Sequence, residues 1–182
     1  MLKEIKHRWW LLIIITAVGF IIDWWTKSLA ARHLSSFETV PLVGNWLELV
    51  LVYNKGAVFG IDPRHIIPGF PVNLFFTVFH VLAVIFLTVF YQYLKKSDRL
   101  MHWALAVILP GALGNLFDRI VHPAQGVVDF IKMDLKVWPF NPWPVFNMAD
   151  AWVTIGIGLM ILSFLLEERR RKKAIVTAAA SN

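Results

Sequence analysis

Four long apolar segments constrain this chain more than any other feature of its sequence. They lie at about residues 9–31, 70–94, 100–120 and 146–166. A helix needs about 20 consecutive apolar residues to cross the hydrocarbon of a bilayer, and each segment approaches that length. Hydrophobic residues make up 58% of the chain and charged residues only 16%, whereas soluble domains carry about 25% charged residues. The sequence therefore predicts an all-α membrane protein with four transmembrane helices.

The basic residues predict the orientation of these helices. Eleven of the 18 Lys and Arg residues lie in three short polar stretches: before the first apolar segment, between the second and third, and after the fourth. With four spans, all three stretches lie on one side, which the positive-inside rule makes cytoplasmic. We expect a single membrane domain over residues 1–168, a basic cytoplasmic tail over 169–182, and both termini inside. The same clustering argues against nucleic-acid binding, despite the net charge of +6.

The two outward-facing connections are predicted to contain β-structure. Residues 46–53 read WLELVLVY, and residues 127–131 read VVDFI. Both runs are rich in β-branched and aromatic residues, which is typical of short strands. We expect these segments to form a small β-containing platform, with loops, on the outer face of the bundle.

Two aspartates are the first candidates for chemistry. Asp150 lies one turn inside the fourth apolar segment, and Asp129 lies just before that segment in a hydrophobic, strand-like run. An ionisable group at membrane depth is costly, so it indicates function unless a partner explains it. No basic residue lies within a helical turn of Asp150, and Asp129 has no local partner. Two such acids at one membrane face favour acid–base chemistry.

Other polar residues are predicted to meet at the same depth. Because a helix rises about 1.5 Å per residue, Asp23 lies roughly 21 Å from the inner end of the first apolar segment. The third segment runs outward and carries its polar residues about 20–26 Å along, whereas the fourth runs inward and begins with its polar residues. The inner halves carry almost nothing ionisable. The residues predicted to converge at the outer end are Asp23, Asn115, Asp118, Arg119, Asn147 and Asp150.

Four of these residues also have a purely structural interpretation. Asp23 is four residues from Lys27, so the two are able to form an ion pair at the membrane interface. For Asp118 we favour the structural interpretation, in which it pairs with a Lys or Arg near the interface. Arg119 is long enough to reach the lipid headgroups, and Asn147 precedes a helix that it is able to cap.

The remaining sequence patterns exclude several kinds of catalyst. The chain has no cysteine, no HExxH pair, no GxSxG turn and no nucleotide-binding glycine loop. We therefore expect no metal and no cofactor. Two non-proteolytic functions remain open on the residues alone: a small transporter or proton-coupled carrier, and a lipid-binding or assembly factor. A transport pathway would need polar residues through both leaflets, and the inner halves of these helices are apolar.

Five short motifs, taken in order, resemble one known family. They are Asp23 with Lys27 in the first helix, YNKGAVFG at 53–60, GALGNLFDR at 111–119, GVVDF at 126–130 and FNMAD at 146–150. Together they resemble the lipoprotein signal peptidases, or signal peptidase II, of bacteria. The resemblance covers about residues 9–166, nearly the whole membrane body.

The resemblance implies an aspartyl protease of the bacterial inner membrane that removes the signal peptide from prolipoproteins. In that family the substrate carries a diacylglyceryl-modified cysteine, cleavage occurs on its amino-terminal side, and the cyclic lipopeptide globomycin inhibits the enzyme. The family's catalytic pair corresponds to Asp129 and Asp150, at the outer face of the membrane. The residues that correspond to the family's supporting positions are Asp23, Asn54, Gly56, Ala57, Asn115, Arg119 and Asn147. We add Asp118 to the candidate site because it is predicted to lie at the same depth.

The predicted orientation has a direct test in intact cells. A label attached after Asn182 should be protected from an impermeant reagent outside the cell, because the one-sided Lys and Arg distribution keeps both termini inside. A label in the outer connection at 121–126 is the matched control and should react. Reaction of the label after Asn182 would overturn this topology.

Overall fold

A computed structural model describes residues 2–36, 38–56, 63–134, 136 and 143–180. Over these residues the chain forms four helices, three strands and one short 3-10 turn at Pro63–His65. The elements in chain order are α1 (Leu2–His33), β1 (Val40–Val43), β2 (Leu47–Asn54), α2 (Val72–Tyr93), α3 (Arg99–Val121), β3 (Val127–Met133) and α4 (Met148–Ala180).

All four helices are long and apolar enough to cross a membrane. The predicted fold class is therefore confirmed, and α2 and α3 match the predicted segments within two residues at each end. Two bounds differ from the prediction by more than two residues. α1 begins earlier, at Leu2, and α4 continues past residue 166 to Ala180. The extension of α4 is rich in Glu, Arg and Lys, which are good helix formers.

Helix α3 is the centre of the bundle. The other three helices each pack against it, and its middle is lined by buried small and aliphatic residues such as Ala104, Leu105 and Ala106. By contrast, α2 exposes apolar side chains such as Leu82 and Phe86. Apolar side chains exposed on the outside of a bundle of this length match a hydrocarbon surrounding.

The three strands form one antiparallel sheet in the order β1-β2-β3. β2 and β3 match the two predicted strands, so the expected β-containing platform is present. In the register of β2 and β3, Val52 lies opposite Asp129 and Asn54 lies opposite Val127. The first four residues of β3 are buried, because this strand contacts α1 and α3 at the end of the bundle.

A short bridge joins β3 to the start of α4. Phe146 exchanges two backbone hydrogen bonds with Ile131, at 2.8 and 3.0 Å. The bridge keeps Phe146 outside the helix, so α4 begins at Met148, two residues after the start of the predicted apolar segment. As a consequence, Asn147 and the first turn of α4 lie beside the part of β3 that carries Asp129.

Two glycines of α3 allow α4 and α1 to approach closely. A Cβ atom at Gly111 would overlap the backbone carbonyl of Ala149, and one at Gly114 would overlap the carboxylate of Asp23. Small residues permit this kind of close packing between membrane helices. The close neighbour is the backbone of α4 at Gly111 and a side chain of α1 at Gly114.

Replacing Gly114 by alanine should lower the thermal unfolding midpoint in detergent, because the added methyl group would collide with the Asp23 carboxylate. Overpacking of this kind costs roughly 1–3 kcal/mol. Gly158→Ala is a matched control, since a Cβ atom there meets open space and alanine favours a helix. Equal midpoints for the two variants would contradict the close packing at Gly114.

Candidate active site

Asn147 connects the two candidate acids. Its side-chain Nδ2 donates a hydrogen bond to Asp129 Oδ1 at 2.6 Å, and its backbone N–H donates to Asp150 Oδ2 at 3.1 Å. Asn147 is fully buried. One residue therefore holds a strand carboxylate and a helix carboxylate in a fixed relation.

The start of α4 positions Asp150. Asn147 Oδ1 accepts a hydrogen bond from the Asp150 backbone N–H at 3.0 Å, which is a helix N-cap. The Asp150 carboxylate accepts the Asn147 N–H in return, so the two residues cap each other. Asn115 Nδ2 donates to Asp150 Oδ1 at 2.8 Å. The N-cap interpretation of Asn147 is thus confirmed, and the same side chain also reaches Asp129.

Asp129 is the more deeply buried acid, at 3% exposure, whereas Asp150 is partly exposed. Asn54 Nδ2 donates to Asp129 Oδ2 at 3.0 Å, and Asn54 Oδ1 accepts the N–H of Gly56 at 2.9 Å. Gly56 has a φ of +122°, a conformation that side chains rarely allow. The turn at Gly56 therefore fixes the amide that holds Asp129.

Burial and a neighbouring charge change the acidity of Asp129. Loss of hydration penalises its carboxylate form, and the negative charge of Asp150 adds to that effect. Hydrogen bonds from Asn54 and Asn147 act in the opposite direction. The net result raises the pKa of Asp129 from 3.8 to about 7. Near neutral pH, this carboxyl is able to hold or release a proton.

Lys27 is a buried ammonium at the centre of a polar network, and it is 3% exposed. Its Nζ lies 2.8 Å from Asp23 Oδ2 and 3.0 Å from Asp118 Oδ2. It also donates to Asn115 Oδ1 at 3.0 Å. An ammonium has three donors, and these three acceptors match them. Because Asn115 also donates to Asp150, Lys27 is connected to the acid pair through one side chain.

The two partners of Lys27 each bind a backbone N–H of another element. Asp23 Oδ1 accepts the N–H of Ala149 in α4 at 2.7 Å, and Asp118 Oδ2 accepts the N–H of Val128 in β3 at 3.2 Å. The predicted ion pairs of both aspartates are confirmed. The partner of Asp118, which the sequence left unspecified, is Lys27. Both carboxylates are buried where α1, α3, α4 and β3 meet.

Arg119 points into the protein rather than toward lipid headgroups. It is 6% exposed, and its guanidinium carbon lies 4.9 Å from the centre of the Phe76 ring on α2. The charge interacts with those of Asp129 and Asp150. Within the described residues, its Nε and Nη1 atoms have no hydrogen-bond partner. The interpretation that Arg119 reaches the lipid headgroups is therefore wrong, because its side chain is buried against Phe76 of α2.

The structure brings together nearly all of the predicted site residues. Gly56 binds Asn54 through its N–H, Arg119 lies beside the network, and Ala57 lies outside the described residues. Lys27 was paired with Asp23 in the sequence, but its contacts to Asn115 and Asp118 were not predicted. The signal was present, since a lysine in an apolar helix requires a buried partner. The side chains in the network, with Lys27, are Asp23, Asn54, Asn115, Asp118, Asp129, Asn147 and Asp150.

The fold and the site together define a multi-pass membrane protein with two carboxylic acids at one end of its helix bundle, both of which accept hydrogen bonds from Asn147. A family model described as Signal peptidase (SPase) II matches residues 15–166. The chain is 36% identical over 155 residues to a lipoprotein signal peptidase of Syntrophotalea carbinolica, covering 84% of this chain and 89% of the relative. It is 36% identical over 156 residues to the lipoprotein signal peptidase of Halalkalibacterium halodurans, covering 86% and 92%.

Solved structures agree with the sequence relatives. Two structures described as a bacterial membrane enzyme superpose with TM-scores of 0.72 and 0.70 at 28% identity. The first covers 86% of this chain and 88% of its own, and the second 85% and 92%. The chain belongs to the signal peptidase II family, as its motifs predicted. Membership of a peptidase family decides against the transporter and assembly-factor interpretations.

Replacing Lys27 by methionine should lower the stability of the protein strongly, because it leaves two buried carboxylates without a counter-charge. Breaking a buried ion pair in this way costs roughly 3–5 kcal/mol. Lys132→Met is the control, since Lys132 is 37% exposed in its pair with Glu48 and exposed pairs contribute about 0–1 kcal/mol. The measurement is thermal unfolding in detergent. Adding Asp118→Asn to Lys27→Met should recover part of the loss. No recovery would contradict the charge explanation.

Proposed function

We propose that this chain is a membrane aspartic endopeptidase that removes the signal peptide from prolipoproteins carrying a diacylglyceryl-modified cysteine. It cuts on the amino-terminal side of that cysteine. Membership of the signal peptidase II family supports the reaction. The observation that carries the assignment of the site is the connection of Asp129 to Asp150 through Asn147.

In the proposed mechanism, the two acids share one proton at neutral pH. Like charges in proximity do not ionise together readily, and the raised pKa of Asp129 makes it the proton carrier. The ionised Asp150 then acts as the general base, taking a proton from the water that attacks the scissile carbonyl. Asp129 donates its proton to the developing oxyanion, which gives a tetrahedral intermediate. As the C–N bond breaks, Asp150 gives the proton that it took from water to the leaving amine, and a hydroxyl of the intermediate returns a proton to Asp129.

The surrounding amides act as positioning residues in this proposal. Asn147 and Asn115 direct N–H groups at the carboxylate of Asp150 and hold it in place beside Asp129. Asn54 fixes the other oxygen of Asp129. The Gly56 turn brings a backbone without a side chain close to these groups, so it is suited to contact a bound peptide.

Arg119 supplies a positive charge next to the acid pair. Among the residues described, its Nε and Nη1 groups are buried and bind no acceptor. A buried guanidinium gains from an oxygen ligand, so we assign these donors to a carbonyl oxygen of the bound substrate. The Phe76 ring holds the guanidinium plane in position.

The substrate enters from the bilayer, since its lipid chains remain in the hydrocarbon. The partly exposed Asp150 and the apolar outer faces of the helices support this route. We place the protein in the bacterial inner membrane, with the acid pair at the outer face and the basic tail at 169–182 in the cytoplasm. Globomycin, a lipopeptide, would occupy the same site in competition with the substrate.

Replacing either acid by asparagine should abolish cleavage of a lipid-modified prolipoprotein peptide, because an amide keeps the shape but cannot transfer the proton. The variants Asp129→Asn and Asp150→Asn should fall by at least the roughly 10²–10⁴-fold that a general acid–base group contributes. Asp134→Asn is the matched control, since Asp134 also lies in the outer connection but outside the polar network described above. Normal turnover by either dyad variant, at matched expression, would eliminate the proposed pair.

The cleavage rate should fall on the alkaline side of a midpoint near pH 7, where Asp129 loses its proton. The sign follows from the raised pKa: below the midpoint the pair keeps its one proton, and above it both acids are ionised. Asn54→Ala should move this midpoint to higher pH, because the Asn54 hydrogen bond favours the carboxylate. The measurement is kcat/KM against pH, with Lys136→Ala as a control that keeps the midpoint. A shift to lower pH in Asn54→Ala would contradict the assignment.

A further inference from the structure

A groove of about 540 Å³ lies at the opposite end of the bundle from the acid pair. The connection between α2 and α3 and the first turn of α3 form one wall, and the inner end of α4 forms the other. No part of the proposed reaction uses it. Its lining residues are Lys95, Ser97, Asp98, Arg99, Leu100, Ser163, Leu166, Glu167, Arg170, Arg171 and Ala174.

The charges that line the groove favour an anion. Four cationic side chains face two acidic ones. One of the acids, Asp98, is already engaged, since its Oδ1 accepts a hydrogen bond from Ser163 at 3.0 Å. α3 begins at Arg99, so the positive end of its dipole adds to the same field.

The floor of the groove is a fixed contact between two elements. Ser163 of α4 is 5% exposed, and its hydrogen bond to Asp98 ties α4 to the connection between α2 and α3. The backbone carbonyl of Asp98 also contacts the ring Nδ1 of His102 at 2.6 Å. The two walls that carry the basic side chains are therefore connected to each other at the floor of the groove.

The walls change from charged to apolar along the groove. Leu100 and Leu166 line the side that continues into the membrane-spanning parts of α3 and α4, and Arg170 and Arg171 follow one turn beyond. A ligand that fits must carry a negative group next to an apolar part. A phospholipid at the membrane interface has that order of groups, and basic pockets between helices at this depth suit lipid phosphates.

We propose that this groove is a binding site for the phosphate headgroup of an anionic phospholipid from the adjacent leaflet. Lys95 and Arg99 contact the phosphate from one wall, and Arg170 and Arg171 contact it from the other. The acyl chains lie along Leu100 and Leu166. The site anchors the extended end of α4 to the membrane, far from the acids.

The orientation of the protein in the membrane does not by itself require the basic residues to line a groove. The positive-inside rule depends on the number of basic residues near a span, not on where they point. Arg169 and Lys173 belong to the same helix and the same charge run, and they do not line the groove. Substituting Arg169 and Lys173 therefore changes the net charge as much as substituting Arg170 and Arg171, but it leaves the lining of the groove unchanged.

The test is native mass spectrometry of the full chain in detergent, with equal amounts of phosphatidylglycerol and phosphatidylcholine that carry the same acyl chains. The wild-type protein should retain phosphatidylglycerol preferentially. Each basic residue near an anionic lipid contributes about fivefold in affinity. The double variant Arg170→Gln/Arg171→Gln should therefore reduce the preference by roughly tenfold or more. Arg169→Gln/Lys173→Gln should keep it.

Three outcomes would overturn the proposal. The first is equal loss of preference in the two double variants, which would indicate diffuse attraction by charge. The second is equal retention of the two lipids by the wild-type protein. The third is displacement of the lipid by excess inorganic phosphate, which would indicate a site for a free anion.

A second double variant ensures that the test does not rest on Arg170→Gln/Arg171→Gln alone. Lys95→Gln/Arg99→Gln changes the opposite wall and should lower the preference to a similar extent. Full preference in that variant would contradict a site shared between two walls. All variants should cleave the lipidated peptide in detergent at the wild-type rate, because the groove lies far from Asp129 and Asp150.

Discussion

The buried ammonium of Lys27 is the interaction on which the rest of the structure depends. Removing a charge from water costs several kcal/mol, and only well-placed partners compensate for that cost. Asp23 and Asp118 supply the opposite charge, and Asn115 supplies the third acceptor. Because the two aspartates also bind N–H groups of α4 and β3, this one cation determines how a helix and a strand meet α1 and α3.

The acid pair occupies the place where those elements meet. Asp129 comes from β3 and Asp150 from the first turn of α4, and each element is tied to the Lys27 network by one backbone N–H. Asn115 belongs to both parts, since it accepts from Lys27 and donates to Asp150. The charges that stabilise the fold and the groups proposed for catalysis therefore form one hydrogen-bonded network, in which a structural substitution has consequences for the chemistry.

Hydropathy was sufficient to predict the four helices, because a membrane span is set by length and apolar composition alone. Strands β2 and β3 were also predictable from their β-branched and aromatic residues. The bridge between Phe146 and Ile131 was not, because it pairs two segments that sequence patterns do not connect. The start of α4 at Met148 agrees with Asn147, which the sequence indicated as a candidate N-cap.

The sequence was sufficient to predict which residues belong to the site, but not which of their side chains contact each other. Depth along each helix brought the polar residues to one end, and the motifs indicated which of them belong together. Rotation about each helix axis decides which side chains touch, and it depends on packing. For that reason Arg119 was assigned equally well to headgroups, although it is buried against Phe76. The contacts of Lys27 with Asn115 and Asp118 were missed for the same reason.

The most direct test of the account is a measurement of the shared proton. Infrared difference spectra of the protein should contain the carbonyl band of one protonated carboxylic acid below about pH 7, which is lost as the pH rises through the pKa of Asp129. The band should be absent from Asp129→Asn and should remain in Asp134→Asn. Spectra in which both acids are ionised throughout the neutral range would contradict the account.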